Sequence, residues 1–151
     1  MPLAAIGVGA NLGDARATVR GAIAALSRLG RVVRASSLYR TKPWGVIDQP
    51  DFVNAVVLLE TTLEPHDLLD ALKALERTFG RTPSFRWGPR AADLDILTYD
   101  DRRIREPDLE IPHPRLFERG FVLVPLAEID SAYAPAVEEL SAEERCGVER
   151  L

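Results

Sequence analysis

A chain of 151 residues is long enough for one domain with a hydrophobic core and leaves no room for a second full-sized domain, which predicts a single domain over residues 1–151. Its 46% hydrophobic and 28% charged residues are typical of a globular protein and exclude a disordered or collagen-like chain. The formal net charge of −4, from 19 basic and 23 acidic residues, argues against electrostatic binding to nucleic acid or to an anionic membrane.

Apolar periodicity and the positions of proline and glycine divide the chain into nine predicted elements. In chain order, these are a strand over Leu3–Gly9, a helix capped by Asp14 and ending before Gly30, strands over Val32–Tyr39 and Phe52–Thr61, a helix that begins at Pro65 and ends before Gly80, a strand over Asp93–Tyr99, a hairpin around Ile104, a short strand over Phe121–Leu126 and a peripheral helix over Glu138–Cys146. Two loops rich in proline and glycine, Thr41–Pro50 and Arg81–Ala92, separate the larger elements.

The first six elements follow the order βαββαβ, which predicts a ferredoxin-like α+β sandwich with a mainly antiparallel sheet. We expect the helices to cover one face of this sheet, with the hairpin, the extra strand and the C-terminal helix added to the core. The loops at the sheet's edges are then free to build a site. The fold alone identifies no function, because this architecture supports many unrelated activities.

The cellular location is predicted from the cysteine content and the amino terminus. Cys146 is the only cysteine, so no disulfide can form within the chain, which suits a reducing compartment. The apolar run from Met1 to Gly9 has no basic residue before it, which argues against a signal peptide. No apolar stretch reaches the ~18–20 residues that a membrane-spanning helix needs. We therefore expect a cytoplasmic protein, acting as a monomer.

The pair Asp93 and Asp95 is the first candidate for chemistry. Because side chains alternate along a strand, both carboxylates point to the same face, ~6.6 Å apart at ~3.3 Å per residue. At an effective dielectric of ~20, two unit charges at that distance repel by roughly 2.5 kcal/mol. Two Mg²⁺ ions ~3.5–4 Å apart, with oxygen ligands at ~2.1 Å, fit between such carboxylates. For the pair alone, two solvated aspartates on an exposed face are the more usual interpretation.

The segment before this pair is strongly basic. From Arg77 to Ala92 there are four arginines and no acidic residue, so the rest of the chain carries a net charge of −8. Arginine side chains bind phosphate oxygens through two parallel hydrogen bonds. A polyphosphate bridged by metal ions to the two aspartates is therefore the favoured interpretation of this neighbourhood.

The run Arg86-Trp87-Gly88-Pro89-Arg90, followed by Asp93-Leu94-Asp95, closely resembles the signature of the hydroxymethyldihydropterin pyrophosphokinases. Further matching motifs follow in family order, so that the resemblance covers Ala4 to Ile129. These motifs are Gly9-Ala10-Asn11-Leu12-Gly13, Tyr39-Arg40-Thr41, Pro43, Gly45, Asp48-Gln49-Pro50-Asp51-Phe52-Val53-Asn54, Glu76, Gly80-Arg81, Pro112-His113 and Arg119-Gly120-Phe121. One departure is Pro83, which stands where family members frequently carry an arginine.

The resemblance implies an ATP- and Mg²⁺-dependent transfer of pyrophosphate to 6-hydroxymethyl-7,8-dihydropterin in folate synthesis, with release of AMP. It implies that Asp93 and Asp95 are catalytic residues that hold two Mg²⁺ ions. It assigns a catalytic role on the triphosphate to Arg81 and Arg90 as well. The residues that it implies for ATP binding are Glu76, Arg86, Trp87, Arg90, Ile96, His113 and Arg119.

The resemblance also implies a pterin site formed by Thr41, Pro43, Trp44, Phe52, Asn54 and Phe121. The residues support this independently, because Phe52 and Asn54 lie two apart on one predicted strand and share a face. An aromatic ring beside a carboxamide can stack on a flat heterocycle and pair with its edge. For the two phenylalanines alone, burial in the core is the more usual role.

Two other functions fit parts of the pattern. Nucleotidyl transferases and cyclases also use paired aspartates on a ferredoxin-like sheet, but they attack the α-phosphorus and release pyrophosphate. A ferredoxin-like RNA-binding module is the non-enzymatic alternative, and the sequence lacks the exposed aromatic and basic strand pattern and the positive charge that such a module needs. Identification of AMP or pyrophosphate as the product separates the two enzymes.

Overall fold

The structure of the protein, a computed structural model, describes residues 1–42, 49–79 and 91–151. These residues form a six-stranded sheet, a separate two-stranded hairpin and helices on both faces of the sheet. In chain order the elements are β1 (Leu3–Ala10), α1 (Ala15–Leu26), β2 (Arg31–Ala35), β3 (Tyr39–Thr41), β4 (Phe52–Glu60), α2 (Pro65–Thr78), β5 (Asp93–Tyr99), β6 (Ile104–Glu106), β7 (Leu109–Ile111), α3 (Gly120–Ile129), a 3₁₀ turn (Ser131–Tyr133), α4 (Ala134–Glu138), α5 (Ala142–Cys146) and β8 (Val148–Arg150). None of these helices is long and apolar enough to cross a membrane.

The main sheet confirms the predicted ferredoxin-like α+β fold. Its strand order is β5-β1-β4-β3-β8, with β2 also paired to β4, and every strand pair is antiparallel. The first half of β4 pairs with β3 and the second half with β2. The prediction of one continuous strand over Val32–Tyr39 is therefore wrong. The strand is interrupted at Ser36, whose backbone N–H donates to the Val56 carbonyl and whose hydroxyl accepts from the Val56 N–H, both at 2.9 Å.

Helices α1 and α2 pack on one face of the sheet. As predicted, the Asp14 carboxylate caps α1, accepting the Ala17 N–H at 3.1 Å, and Pro65 occupies the first turn of α2. Their apolar faces bury Leu26 and Leu72 against the sheet. Helix α1 ends at Leu26, before the predicted stop at Gly30. Gly30 instead allows a close approach, because a Cβ there would lie 2.1 Å from the Glu60 carbonyl oxygen.

The predicted strand Phe121–Leu126 is wrong, since these residues belong to helix α3. The segment is apolar almost throughout, so it lacks the alternation that separates a strand from a buried helix. Its buried residues follow helical spacing and pack with Ala5, Val56 and Leu97 on the face of the sheet opposite α1 and α2. Helices therefore cover part of both faces, whereas we expected one covered face.

The predicted C-terminal helix over Glu138–Cys146 is also corrected. Two short helices, α4 and α5, replace it, with Leu140 buried between them. The chain then adds an unpredicted strand, β8, to the edge of the sheet beside β3. A three-residue strand with alternating charge carries almost no sequence signal, because its pairing partner supplies most of its stability.

Candidate active site

A cleft opens on the α3 face of the sheet, between the strands and the amino end of α3. Strand alternation directs Phe52 and Asn54 of β4 and Asp93 and Asp95 of β5 into it, while Leu94 points to the opposite face and is buried in the core. The polar and aromatic side chains that line this cleft are Thr41, Lys42, Phe52, Asn54, Asp93, Asp95, His113, Arg119 and Phe121.

Two glycines of β1 form the floor of the cleft. Gly9 is paired with Asn54 on one side and Asp93 on the other, and Gly7 lies between Val56 and Asp95. A Cβ on Gly9 would lie 2.6 Å from the Asn54 Oδ1 atom. Gly7 and Gly9 were not among the site residues predicted from the sequence. Alternate glycines within a strand were the available signal, because glycine in a strand often marks the close approach of a ligand.

The two aspartates share one face of β5, as their spacing predicts, and Glu76 lies behind them. Glu76 is only 2% exposed, and its Oε2 accepts the Leu94 backbone N–H at 2.8 Å. Lys73, one turn earlier on α2, places its Nζ 3.5 Å from the other carboxylate oxygen of Glu76. Glu76 does not line the cleft, so it supports the strand that carries the aspartates from the helical side.

The electrostatics of the aspartate pair are unfavourable without a cation. Burial, the Asp93 carboxylate and the Glu76 carboxylate together raise the pKa of Asp95 to about 7, against the smaller opposing effects of Lys73 and Arg119. A carboxylic acid with this pKa is partly protonated at neutral pH. Positive charge placed between Asp93 and Asp95 would relieve the repulsion, and carboxylate oxygens are ligands that Mg²⁺ prefers.

Asn54 and Thr41 meet at the other end of the cleft. The Asn54 carboxamide is 6% exposed and donates to the Thr41 hydroxyl at 2.7 Å. Pairing of β3 with β4 produces this contact, since Thr41 lies opposite Phe52 in the register. The rings of Phe52 and Phe121 are both half-buried and reach the cleft from β4 and α3. The buried amide therefore has a partner, and the two rings are available to a ligand.

Arg119 and His113 lie in the same cleft as the aspartates. The Arg119 guanidinium lies 5.3 Å from the centre of the Phe121 ring, a cation–π distance. The His113 Nδ1 accepts the Arg115 backbone N–H at 3.1 Å, and its own backbone N–H donates to the Leu97 carbonyl. Burial and the Arg119 charge lower the pKa of His113, which favours a neutral ring with its hydrogen on Nε2.

Some predicted residues lie elsewhere. The Ile96 side chain is 4% exposed in the core under α1 and α2, so only its backbone is left for contact with a nucleotide. Pro43, Trp44, Arg81, Arg86, Trp87 and Arg90 lie outside the described residues. Lys42 lines the cleft and was missed, since a lysine in a loop next to proline usually indicates only a solvated surface.

The chain is similar to known proteins both in sequence and in fold. Residues 5–131 match the family model described as 7,8-dihydro-6-hydroxymethylpterin-pyrophosphokinase. The chain is similar to the 2-amino-4-hydroxy-6-hydroxymethyldihydropteridine pyrophosphokinase of Pseudomonas aeruginosa, with 43% identity over 97% of this chain and 94% of that protein. The protein of the same name from Methylorubrum extorquens is 45% identical over 85% of this chain and 83% of its own length.

The solved structures give a likeness of fold. The Plasmodium falciparum HPPK-DHPS structure with SDX-DHP superposes with a TM-score of 0.71 at 16% identity, over 99% of this chain and 47% of that chain. The chain thus spans about half the length of that solved protein. The mitochondrial folate synthesis bifunctional protein of Pisum sativum shows a similar relation in sequence, with 43% identity over 82% of this chain and 24% of that protein.

Proposed function

The chain belongs to the 7,8-dihydro-6-hydroxymethylpterin-pyrophosphokinase family, and we propose that it transfers pyrophosphate from ATP to the hydroxymethyl group of 6-hydroxymethyl-7,8-dihydropterin. The protein is a pyrophosphokinase of folate synthesis. In the reaction, the hydroxymethyl oxygen attacks the β-phosphorus of ATP, and the bond from that phosphorus to the bridging oxygen of AMP breaks. One domain over residues 1–151 carries the activity.

The observation that carries this proposal is a single cleft with two chemically different ends. Asp93 and Asp95 make one end suitable for a metal–triphosphate complex, and the Asn54–Thr41 pair makes the other suitable for a flat heterocycle with a polar edge. Gly9 lies between the two ends and adds no side chain. A pyrophosphokinase needs this juxtaposition, because the reacting hydroxyl must reach the β-phosphorus in line.

The donor set fits Mg²⁺. Asp93 and Asp95 offer the hard carboxylate oxygens that this ion prefers. Burial first, and then repulsion from Asp93 and Glu76, raises the pKa of Asp95, and a bound cation would relieve that repulsion. We assign two ions to this pair. When held by Asp93 and Asp95, they would neutralise the charge that develops on the triphosphate during the transfer.

The side chains around the aspartates act by binding and orientation. Arg119 can donate two parallel hydrogen bonds to phosphate oxygens. It lies close enough to Asp95 for its positive charge to oppose the rise in the pKa of that carboxyl. Neutral His113 offers its Nε2–H to a phosphate or ribose oxygen. Arg81 and Arg90 complete the positive charge around the triphosphate in this proposal. Phosphoryl transfer of this kind needs positioning and charge neutralisation, so no side chain has to form a covalent intermediate.

The pterin end works by stacking and edge recognition. Phe52 of β4 and Phe121 of α3 both line the cleft, and pterin is a flat ring system that stacks on aromatic faces. The Asn54 carboxamide is fixed by its hydrogen bond to Thr41, so its remaining polar groups point in one direction. A preorganised amide of this kind selects a ligand with a complementary hydrogen-bonding edge.

Product identification tests the function directly. The protein is incubated with ATP, Mg²⁺ and 6-hydroxymethyl-7,8-dihydropterin, and the products are identified by mass spectrometry. We expect AMP and the pterin diphosphate in equal amounts, with no product when EDTA replaces Mg²⁺. Pyrophosphate in place of AMP would identify a nucleotidyl transferase, and no product from correctly folded protein would refute the proposal.

A further inference from the structure

Helix α3 begins at the site with an unusual residue in its capping position. The first N–H groups of a helix have no partner within the helix, and Ser, Thr, Asp or Asn usually supplies one from the N-cap. In α3 the N-cap is Arg119, which makes no side-chain cap hydrogen bond. Its guanidinium instead stacks over Phe121, the second residue of the helix. Arg119, the cation that lines the cleft, therefore does not accept a hydrogen bond from the first N–H groups of α3.

Glu144 supplies the missing cap from 24 residues further along the chain. Its Oε2 accepts the backbone N–H of Gly120, the first residue of α3, at 3.0 Å. A carboxylate at the amino end of a helix is also favoured by the helix dipole. This contact lies between the two site residues Arg119 and Phe121, and Glu144 itself is half-buried in α5.

The close packing of α5 on α3 fixes the position of this carboxylate. A Cβ on Gly120 would lie 2.2 Å from the Glu144 carbonyl oxygen and 3.1 Å from Val148 Cγ2, so only glycine permits the contact. The strand β8 follows α5 at once, and its Val148 pairs with Thr41 at the pterin end of the cleft. Residues 142–150 thus contact both the α3 side and the β3 side of the cleft, although the family match ends at residue 131.

We propose that Glu144 is a positioning residue for the pterin site, acting through the first turn of α3. By capping Gly120 it fixes the first turn of α3, and with that turn the positions of the Phe121 ring and the Arg119 guanidinium, which both line the cleft. Without this cap the first turn frays, and the Phe121 ring samples orientations that do not stack on the pterin. This inference rests on the proposed function for the identity of the ligand, and on the geometry alone for the role of Glu144.

Steady-state kinetics of four variants test the inference. Glu144→Ala removes the cap and is expected to raise the KM for the pterin about fivefold, the equivalent of one lost cap of ~1 kcal/mol. Glu144→Gln keeps an oxygen acceptor and should restore a KM within about twofold of the native value. Glu143→Ala is the matched control, because Glu143 is an exposed acid of the same helix, and it should leave the KM unchanged. Glu144→Asp withdraws the carboxylate by one methylene and should raise the KM even if Glu144→Ala does not fold.

The KM distinguishes positioning from a loss of folded protein. A purely structural role would lower kcat per mole of protein and leave the KM for the pterin and the KM for ATP unchanged. That result would overturn the inference. An equal rise in KM for Glu143→Ala would overturn it as well, because the effect would then come from charge alone.

Failure of the proposed function is a separate outcome. If native protein forms no pterin diphosphate, the inference is tested by NMR without substrate. The Gly120 amide and Phe121 ring resonances should shift in Glu144→Ala and stay near their native positions in Glu144→Gln and Glu143→Ala. Unchanged Phe121 resonances in Glu144→Ala would overturn the role of Glu144 whatever the enzyme's substrate.

Discussion

The Glu76 carboxylate accepts, at 2.8 Å, the backbone N–H of Leu94, the residue that lies between Asp93 and Asp95. Strand β5 forms one edge of the sheet that the described residues build, and within those residues no further strand accepts this N–H. Glu76 takes the place of the missing strand and holds the two aspartates in register. It also adds negative charge behind Asp95, which contributes to the raised pKa of that residue.

Replacing Glu76 should therefore separate its structural role from its electrostatic one. Glu76→Ala leaves the buried Leu94 N–H without this acceptor and should lower the free energy of unfolding by about 1–3 kcal/mol. Glu76→Gln keeps an acceptor and should cost less, while lowering the pKa of Asp95. Urea denaturation measures the free energy of unfolding of the two variants. The control is Asp70→Ala, which removes an exposed acid on the same helix. Equal losses for the alanine and glutamine variants would contradict the hydrogen-bond explanation.

Removing either site aspartate should abolish most turnover and leave the fold intact. In Asp93→Asn and Asp95→Asn the neutral amide is a weak ligand for Mg²⁺, and the loss of one negative charge relieves the repulsion within the pair. Rate measurements at saturating ATP and ordinary Mg²⁺ concentration test this, with circular dichroism to check folding. The exposed residue Asp101 provides a control in Asp101→Asn. Near-native turnover in both site variants would refute the metal assignment.

The sequence predicts the elements with strong local signals. The capping residue Asp14, Pro65 in the first turn of α2 and the strand Asp93–Tyr99 all agree with the structure, because each depends on a few neighbouring residues. Alternation along β5 also predicts the shared face of Asp93 and Asp95. The sequence fails at Phe121–Leu126, where an apolar run without alternation fits either a strand or a buried helix.

The contacts that distant segments make around the site could not be predicted from the sequence. The functional consequence of Gly9 depends on its position between Asn54 and Asp93, which only strand register reveals. Glu76 by itself resembles a solvated helix residue, yet it is buried against β5. The cap that Glu144 gives to α3 joins residues in a pairing that no local pattern encodes. The resemblance to a family identifies candidate residues but does not supply these supporting contacts.

The two aromatic rings should be specific for the pterin. Phe52→Ala and Phe121→Ala are each expected to weaken pterin binding by about 1–3 kcal/mol, on the scale of a base stacked on an aromatic ring. ATP binding should change little. Calorimetric titration of each ligand checks this, and Phe117→Ala is the control, because Phe117 is 60% exposed and does not line the cleft. Equal losses of ATP and pterin affinity would mean that the rings serve only the core.

A methyl group on Gly9 should interfere with the Asn54 amide. In Gly9→Ala the new Cβ would lie 2.6 Å from Asn54 Oδ1, so the carboxamide must move and its hydrogen bond to Thr41 must distort. We expect a loss of about 1–2 kcal/mol in pterin affinity, the scale of a disturbed buried hydrogen bond. Titration of pterin and of ATP separately measures the effect. Unchanged pterin affinity would show that the amide does not recognise the ligand.

The raised pKa of Asp95 predicts how pH affects both stability and metal binding. In the metal-free protein Asp95 keeps its proton up to about pH 7, whereas the unfolded chain releases it near the ordinary value of 3.8. The contribution of this group to stability is therefore fully present below pH 3.8 and is lost as the pH rises to about 7. Because Mg²⁺ binds the ionised form, its affinity should fall about tenfold for each pH unit below 7.

Two measurements check this dependence. Unfolding in EDTA between pH 5 and 8 should show Asp95→Asn gaining stability relative to the native protein as the pH rises, by about 1 kcal/mol or more at pH 8. Calorimetric titration with Mg²⁺ at pH 6 in two buffers of different ionisation enthalpy should reveal one proton released on binding, and none at pH 8.5. Since the unfolded chain titrates below pH 5, a constant stability difference between the two proteins across this range would place the pKa of Asp95 at its ordinary value. Metal affinity that does not vary between pH 6 and 8.5 would lead to the same conclusion.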